Sequence, residues 1–193
     1  MKDFVEIRWH GRGGQGAKTA SLLFADAALA QGKYIQAFPE YGPERMGAPV
    51  ASFNRLSAKP ILMHSAVTNP DIVLVLDPTL MESIDVTDGM PKNGILIINT
   101  GQSPQDIIGS CSIKAGYFRI YTVDASKISK ETIGREIPNT PMMGALAKVD
   151  GILDFKVMLE DTRQKLEKKF KTKPEVIEGN LKAIERAYNE VRS

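Results

Sequence analysis

The residues best suited to chemistry fall in two short stretches. The first is Gly11-Arg12-Gly13-Gly14-Gln15-Gly16, with Lys18 just beyond it. Glycines at this spacing let the backbone turn tightly and approach an anionic ligand, and the amides of a following helix then face a phosphate. Arg12 and Lys18 add positive charge, so a pyrophosphate matches the chemistry of the turn. A tight turn that serves packing alone is the other reading. The second stretch is Pro39-Glu40-Tyr41-Gly42-Pro43-Glu44-Arg45-Met46-Gly47-Ala48-Pro49, with acids, an arginine and a tyrosine on a loop stiffened by prolines. Loops beyond the carboxyl ends of parallel strands are where such folds bind ligands. By itself the window also fits a surface connection with Glu44 and Arg45 solvated and Tyr41 packed inward.

Other chemistries lack their residues. Cys111 is the only cysteine, which excludes an internal disulfide and a thiolate set for an iron-sulfur cluster or structural zinc. Ser110, Ser112 and Ile113 beside it provide no cation or base, so an inert half-buried thiol is expected. His10 and His64 have no metal-ligand spacing. Ala37-Phe38-Pro39 stands where a ribose-binding acid would be needed, which argues against nicotinamide or flavin.

The elements around these stretches alternate. Val5, Ile7 and Trp9 share one face of a strand with Glu6, Arg8 and His10 on the other. A central parallel strand is normally apolar throughout, so Glu6 and Arg8 need partners. Beyond the turn, Ala17 to Gln31 repeats apolar residues at helical spacing and Gly32 closes it; Tyr34 to Phe38 reads as a second strand and Val50 to Ser57 as a third. The β-branched runs Ile72–Leu76 and Ile95–Ile98 predict strands covered on both faces, the first ended by Asp77 as a cap and Pro78 at the first helical position. Phe118 to Val123 predicts a last strand, followed by helices over 126–134, 141–152 with Thr140 as cap, 155–170 and 174–191. The pattern predicts one domain over 1–193, with 140–193 mainly helical: a Rossmann-like α/β fold with an open, mostly parallel sheet and helices on both faces. With the first two strands as neighbours, both loops would stand side by side and Arg12, Lys18 and Arg45 would border one concave surface.

Composition sets the outer limits. A chain of 193 residues, 42% apolar, can bury a normal core. Lys plus Arg (25) exceeds Asp plus Glu (23) by two, and no face gathers enough of that excess to hold a duplex phosphate backbone, so nucleic acid is discounted. Met1 to Arg8 alternates charge with hydrophobe, unlike a signal peptide, and no apolar run reaches the roughly 20 residues of a membrane helix. A cytoplasmic protein without membrane contact is expected. Met142 and Met143 read as gap-filling residues, and Ile177, Leu181, Ile184, Tyr188 and Val191 form a stripe that must be covered.

The glycine turn after a strand, with Pro39-Glu40-Tyr41-Gly42-Pro43-Glu44-Arg45 about two dozen residues later, resembles the gamma subunit or domain of the pyruvate and related 2-oxoacid:ferredoxin oxidoreductases. The likeness runs on through Arg55, Asn69-Pro70-Asp71, Asp77-Pro78 and Asn139-Thr140-Pro141-Met142-Met143-Gly144-Ala145-Leu146. Met46 and Ala48 depart from the arginine and second glycine often found there, which favours the pyruvate or branched-chain type over the 2-oxoglutarate type. The resemblance implies a subunit inactive alone, belonging to anaerobic metabolism. Its alpha, beta and delta partners would carry thiamine diphosphate, magnesium and 4Fe-4S clusters and reduce ferredoxin. Coenzyme A would be received in part here, at Gly11, Arg12, Gly13, Gly14, Gln15, Gly16, Lys18, Glu40, Tyr41, Gly42 and Arg45. Lys165, Lys168, Lys169, Lys171 and Lys173 then read as a solvated basic stretch, or as a contact for acidic ferredoxin or a coenzyme A phosphate. Two alternatives are a free-standing nucleotide-dependent oxidoreductase and a scaffold whose motifs serve only subunit contacts.

Overall fold

The computed structural model describes residues 4–40, 46–110, 113 and 116–193. Its strands are β1 (Phe4–Arg12), β2 (Tyr34–Pro39), β3 (Pro49–Ser57), β4 (Ile72–Val75), β5 (Ile95–Asn99) and β6 (Arg119–Val123). The helices are α1 (Ala17–Ala30), α2 (Pro104–Ser110), α3 (Ala125–Ile133), α4 (Asn139–Asp150), α5 (Phe155–Lys169) and α6 (Pro174–Glu190), and Pro78–Glu82 forms a 3-10 turn. One sheet runs in the order β2-β3-β1-β4-β5-β6. β1, β4, β5 and β6 pair in parallel, whereas β3 is antiparallel to both β1 and β2.

The β-branched residues of β4 and β5 are buried on both faces, as their composition requires. On one face, Ile7, Trp9, Leu74 and Ile97 pack under α1, α3, α4, α5 and α6. Val73, Val75, Leu96 and Ile98 pack on the other beneath Ile107 of α2 and the segment holding Val86 and Met90. Asp77 caps the 3-10 turn by accepting from the Thr79 amide, and Pro78 occupies its first position. Met142 and Met143 are fully buried, and Ile177, Leu181 and Ile184 are covered within the chain itself. No helix among the described residues is long and apolar enough to cross a membrane.

Three expectations change. First, β1 and β2 are not neighbours: β3 lies between them, so the carboxyl ends of the two strands are two strand spacings, about 10 Å, apart. The segment from Pro39 to Pro49 is therefore the connection between two antiparallel neighbours, and no crossover. Second, α4 begins at Asn139 with Pro138 at its N-cap, so Thr140 lies inside the helix and its hydroxyl bonds Asn180 instead. Third, α2 has no counterpart in the sequence reading, because its seven residues are too short to establish a helical period. Tyr41, Gly42, Pro43, Glu44, Arg45, Cys111 and Ser112 lie outside the described residues.

On the polar face of β1, Glu6 and Arg8 have partners, whereas Arg8 Nε and His10 Nε2 are buried without one among the described residues. Arg55 of β3 donates from Nε and Nη2 to Glu6 at 3.0 and 2.7 Å, while Arg8 donates from Nη2 to the carbonyls of Val86 and Asp88 at 3.1 and 2.6 Å. On the helical face the Trp9 indole donates to Asn54, whose amide donates to the Ser21 carbonyl.

At Gly144, α4 and α6 pack so closely that a Cβ built there would run into the Ile184 carbonyl. Gly144→Ala is expected to lower unfolding free energy by about 1–3 kcal/mol, as overpacking does. Denaturant melting checks this, and an unchanged midpoint would mean the helices are free to part.

Candidate functional site

The glycine turn sits at the carboxyl end of β1 and leads directly into α1. Gly14 and Gly16 adopt φ of 99° and 84°, the left-handed conformations for which glycine is suited. The turn holds itself in shape through Gln15, whose Oε1 accepts from the Arg12 amide at 2.7 Å and whose Nε2 donates to Asp77 at 2.9 Å.

Arg12 is committed to that same scaffold. Its Nε donates to Asp77 Oδ2 at 3.1 Å, Nη1 to the Gly47 carbonyl at 3.2 Å and Nη2 to Thr79 Oγ1 at 2.8 Å. Burial alone would raise the Asp77 carboxyl, but hydrogen bonds from Thr79 and Gln15 and the Arg12 charge outweigh it and hold the group below the usual range. Asp77 is thus an anion that neutralises Arg12, and two N–H groups of the guanidinium remain for any ligand.

Because the second stretch runs into β3, the neighbour of β1, its end is joined to the glycine turn by main chain. The Gly13 amide donates to the Ala48 carbonyl at 2.9 Å, and the Gly47 amide donates to the Gly13 carbonyl at 3.1 Å. Glu40 is exposed at the end of β2, its amide bound to the Ala51 carbonyl. Burial, and secondly the charge of Arg8, lower His10 to about 4. It is neutral near pH 7 and adds no cation.

Two cavities flank the turn and share Gly14, Gly16 and Thr19. The first, about 470 Å³, lies between the turn and the ends of β2 and β3, and is lined by Arg12, Lys18 and Glu40 with apolar Pro39, Met46 and Val50. A second of about 640 Å³ opens between α1, α5 and α6, with Asn139 and Thr140 at the start of α4 in its wall. Asn139 is 8% exposed and its side chain stands against Gly16. The structure therefore brings Gly13, Gly14, Gly16, Arg12, Lys18 and Glu40 around one hollow. Gln15 instead supports the turn from Asp77, and Gly11 is buried behind it. Asn139, distant in sequence, entered the sequence reading only through the likeness, and nothing local marks it as a neighbour of Gly16. Among the described residues no group of three or more His, Cys, Asp or Glu is placed to hold a metal.

A six-stranded, mostly parallel sheet with helices on both faces and a glycine turn at the end of its first strand defines an α/β protein. Residues 6–190 match the model of a family described as pyruvate ferredoxin/flavodoxin oxidoreductase. The chain belongs to that family. It is 47% identical over 193 residues to pyruvate synthase subunit PorC of Thermotoga maritima, covering 99% of this chain and 96% of that protein. With the pyruvate/ketoisovalerate oxidoreductases common subunit gamma of Thermococcus kodakarensis it shares 43% identity over 185 residues, 96% of each chain. The crystal structure of the Thermotoga maritima pyruvate oxidoreductase subunit PORC superposes with a TM-score of 0.84 at 45% identity, covering 99% of this chain and 98% of that one. The span and identity of these matches make it a gamma-type subunit of a 2-oxoacid oxidoreductase.

Proposed function

We propose that this chain is the gamma subunit of a multi-subunit pyruvate:ferredoxin oxidoreductase, converting pyruvate, coenzyme A and oxidised ferredoxin to acetyl-CoA, carbon dioxide and reduced ferredoxin. The near full-length likeness to pyruvate synthase subunit PorC carries this reading. A single cysteine supplies no thiolate set for a cluster, so the 4Fe-4S centres belong to partner subunits, as do thiamine diphosphate and magnesium. Thiamine diphosphate supplies the carbanion chemistry of decarboxylation when bound there. This chain packs against that site with its alpha, beta and delta partners and helps receive coenzyme A. The uncapped amides at the start of α1 and Lys18 meet phosphate oxygens, while Arg12 and Gln15 keep the turn in its open shape. Arg45, from the second motif, adds a further cation.

The experiment is Arg45→Ala in the assembled complex. A charge-assisted contact of roughly 1.5–3 kcal/mol predicts that coenzyme A binding weakens by about one to two orders of magnitude, with oxoacid decarboxylation retained. Loss of decarboxylation with an unchanged coenzyme A Michaelis constant would move this loop to the thiamine site. A second reading, one gamma subunit common to pyruvate and branched-chain oxoacid enzymes, is favoured by the relative from Thermococcus kodakarensis. Purifying the native complexes through this chain and assaying pyruvate against 2-oxoisovalerate separates the two.

A further inference from the structure

On one side the sheet ends at β2, and that edge is unprotected. β2 pairs only with β3, and no main-chain hydrogen bond of Tyr34 to Phe38 runs outward to another described residue. An edge strand that is to stay alone carries charges, a bulge or an interior proline. Tyr34-Ile35-Gln36-Ala37-Phe38 has none of these, and Pro39 stands only at its end. Exposed apolar side chains border the same edge. Among the described residues eight large hydrophobic side chains are exposed, and six of them, Leu22, Leu29, Tyr34, Met46, Leu62 and Met63, surround β2. Leu22 and Leu29 lie on the stripe of α1 that begins with Lys18, and Lys18 borders the hollow formed with Pro39, Glu40 and Met46, so the stripe overhangs β2. Leu62 and Met63 lie over the other face, where the Met63 carbonyl accepts from Gln36 Nε2 at 2.8 Å. Apolar groups on both flanks of an open edge call for a partner that covers all three together.

The charges at the ends of the strand identify that partner. Lys33 precedes the neutral stretch and Glu40, exposed, follows it. An antiparallel copy of the same strand sets each Lys33 beside the Glu40 of the other, so the strand complements itself at both ends. We propose that β2 pairs antiparallel with β2 of a second copy of this chain, about a two-fold axis at Gln36, so that two six-stranded sheets become one. In that register Tyr34 stands opposite Phe38 of the second copy, Ile35 opposite Ala37, and Lys33 opposite Pro39 with Glu40 next to it. Residues directly opposite share a face of the sheet, so the aromatic pair falls on the face of Leu62 and Met63. On the other face the two α1 helices meet, Leu22 of one against Leu29 of the other. In the assembled enzyme this contact joins two complexes through their gamma subunits.

The test is sedimentation velocity of the full chain over a concentration series, with charge variants at the two ends of β2. The unaltered chain is expected to dimerise reversibly. Lys33→Glu places like charges together at both ends of the pair and is expected to weaken dimerisation about tenfold, and Glu40→Lys to do the same. Lys33→Glu with Glu40→Lys restores opposite charges and is expected to bring the dissociation constant back to within about threefold of the unaltered chain. Only a self-paired strand is rescued in this way, because a different partner keeps its own charges. Leu62→Glu, at a side chain 86% exposed, is a second disruption that leaves the fold intact, with unchanged circular dichroism as the control. A chain that stays monomeric across the series, or a double variant as weak as the single ones, overturns the proposal. So does an assembled complex that holds one copy of this chain by native mass spectrometry while its β2 amides are protected from hydrogen exchange, since a different subunit then covers the edge.

Discussion

Arg55→Ala is expected to remove about 3–5 kcal/mol of stability, the scale for breaking a buried ion pair by deleting one partner. Arg55 is fully buried, and both its Nε and Nη2 point to the same Glu6 oxygen. Its other bonds reach the Gln36 amide oxygen and the Ser65 carbonyl, so one guanidinium ties β1, β2 and the segment after β3 together. Removal takes from the Glu6 carboxylate, 5% exposed, the guanidinium that donates two hydrogen bonds to it. Denaturant melts of Arg55→Ala and of Glu6→Gln with Arg55→Met give the measurement. The double variant should recover most of the loss, because a neutral pair of similar volume has no buried charge to solvate. A loss below about 1 kcal/mol for Arg55→Ala would show that water reaches this pair.

Gly16→Ala has the largest expected effect on coenzyme A. At φ 84° an alanine costs roughly 1–2 kcal/mol in backbone strain. Its Cβ would also come to 2.6 Å from Asn139 Nδ2 and 3.0 Å from Cγ, closer than van der Waals contact allows. Asn139 must then leave its place, losing the 2.8 Å bond from the Thr140 amide to Oδ1 and withdrawing Nδ2 from the cavity. Coenzyme A half-saturation is expected to rise at least thirtyfold, about 2 kcal/mol. Gly16→Ala with Asn139→Gly relieves the collision and should regain part of the lost stability, but not the affinity. Normal coenzyme A binding by Gly16→Ala in an intact complex would mean that the glycine turn does not take part in receiving the ligand.

Much of this was legible from residue types, and the rest was not for identifiable reasons. The turn, α1 and the β-branched strands are local: glycine freedom, helical spacing and apolar runs act within a few residues. The need of Glu6 and Arg8 for partners was also legible, though not that Arg55 would be one. Strand direction is a different matter. Val50 to Ser57 has a strand's residues, but composition says nothing of which way it runs or what it pairs with, and β3 proved to lie between β1 and β2. Arg12 looked like a phosphate ligand because glycines surround it, while the carboxylate that binds it, Asp77, arrives from the end of β4. Lys169 and Lys173 read as a solvated stretch because only the packing of α5 and α6 on α1 turns them toward a hollow. Tyr41, Gly42 and Arg45 lie outside the described residues.

The paired main-chain bonds between Gly13 and the Gly47-Ala48 step have a mechanical consequence. Separating the two segments breaks both bonds, each worth about 1 kcal/mol, so the lowest-energy displacements move them together. The glycine turn and the Gly47-Ala48 step thereby extend the β1-β3 ladder beyond Arg12 and Pro49. A protein surface pressing on the insertion therefore transmits strain to the amides at the head of α1 without touching them.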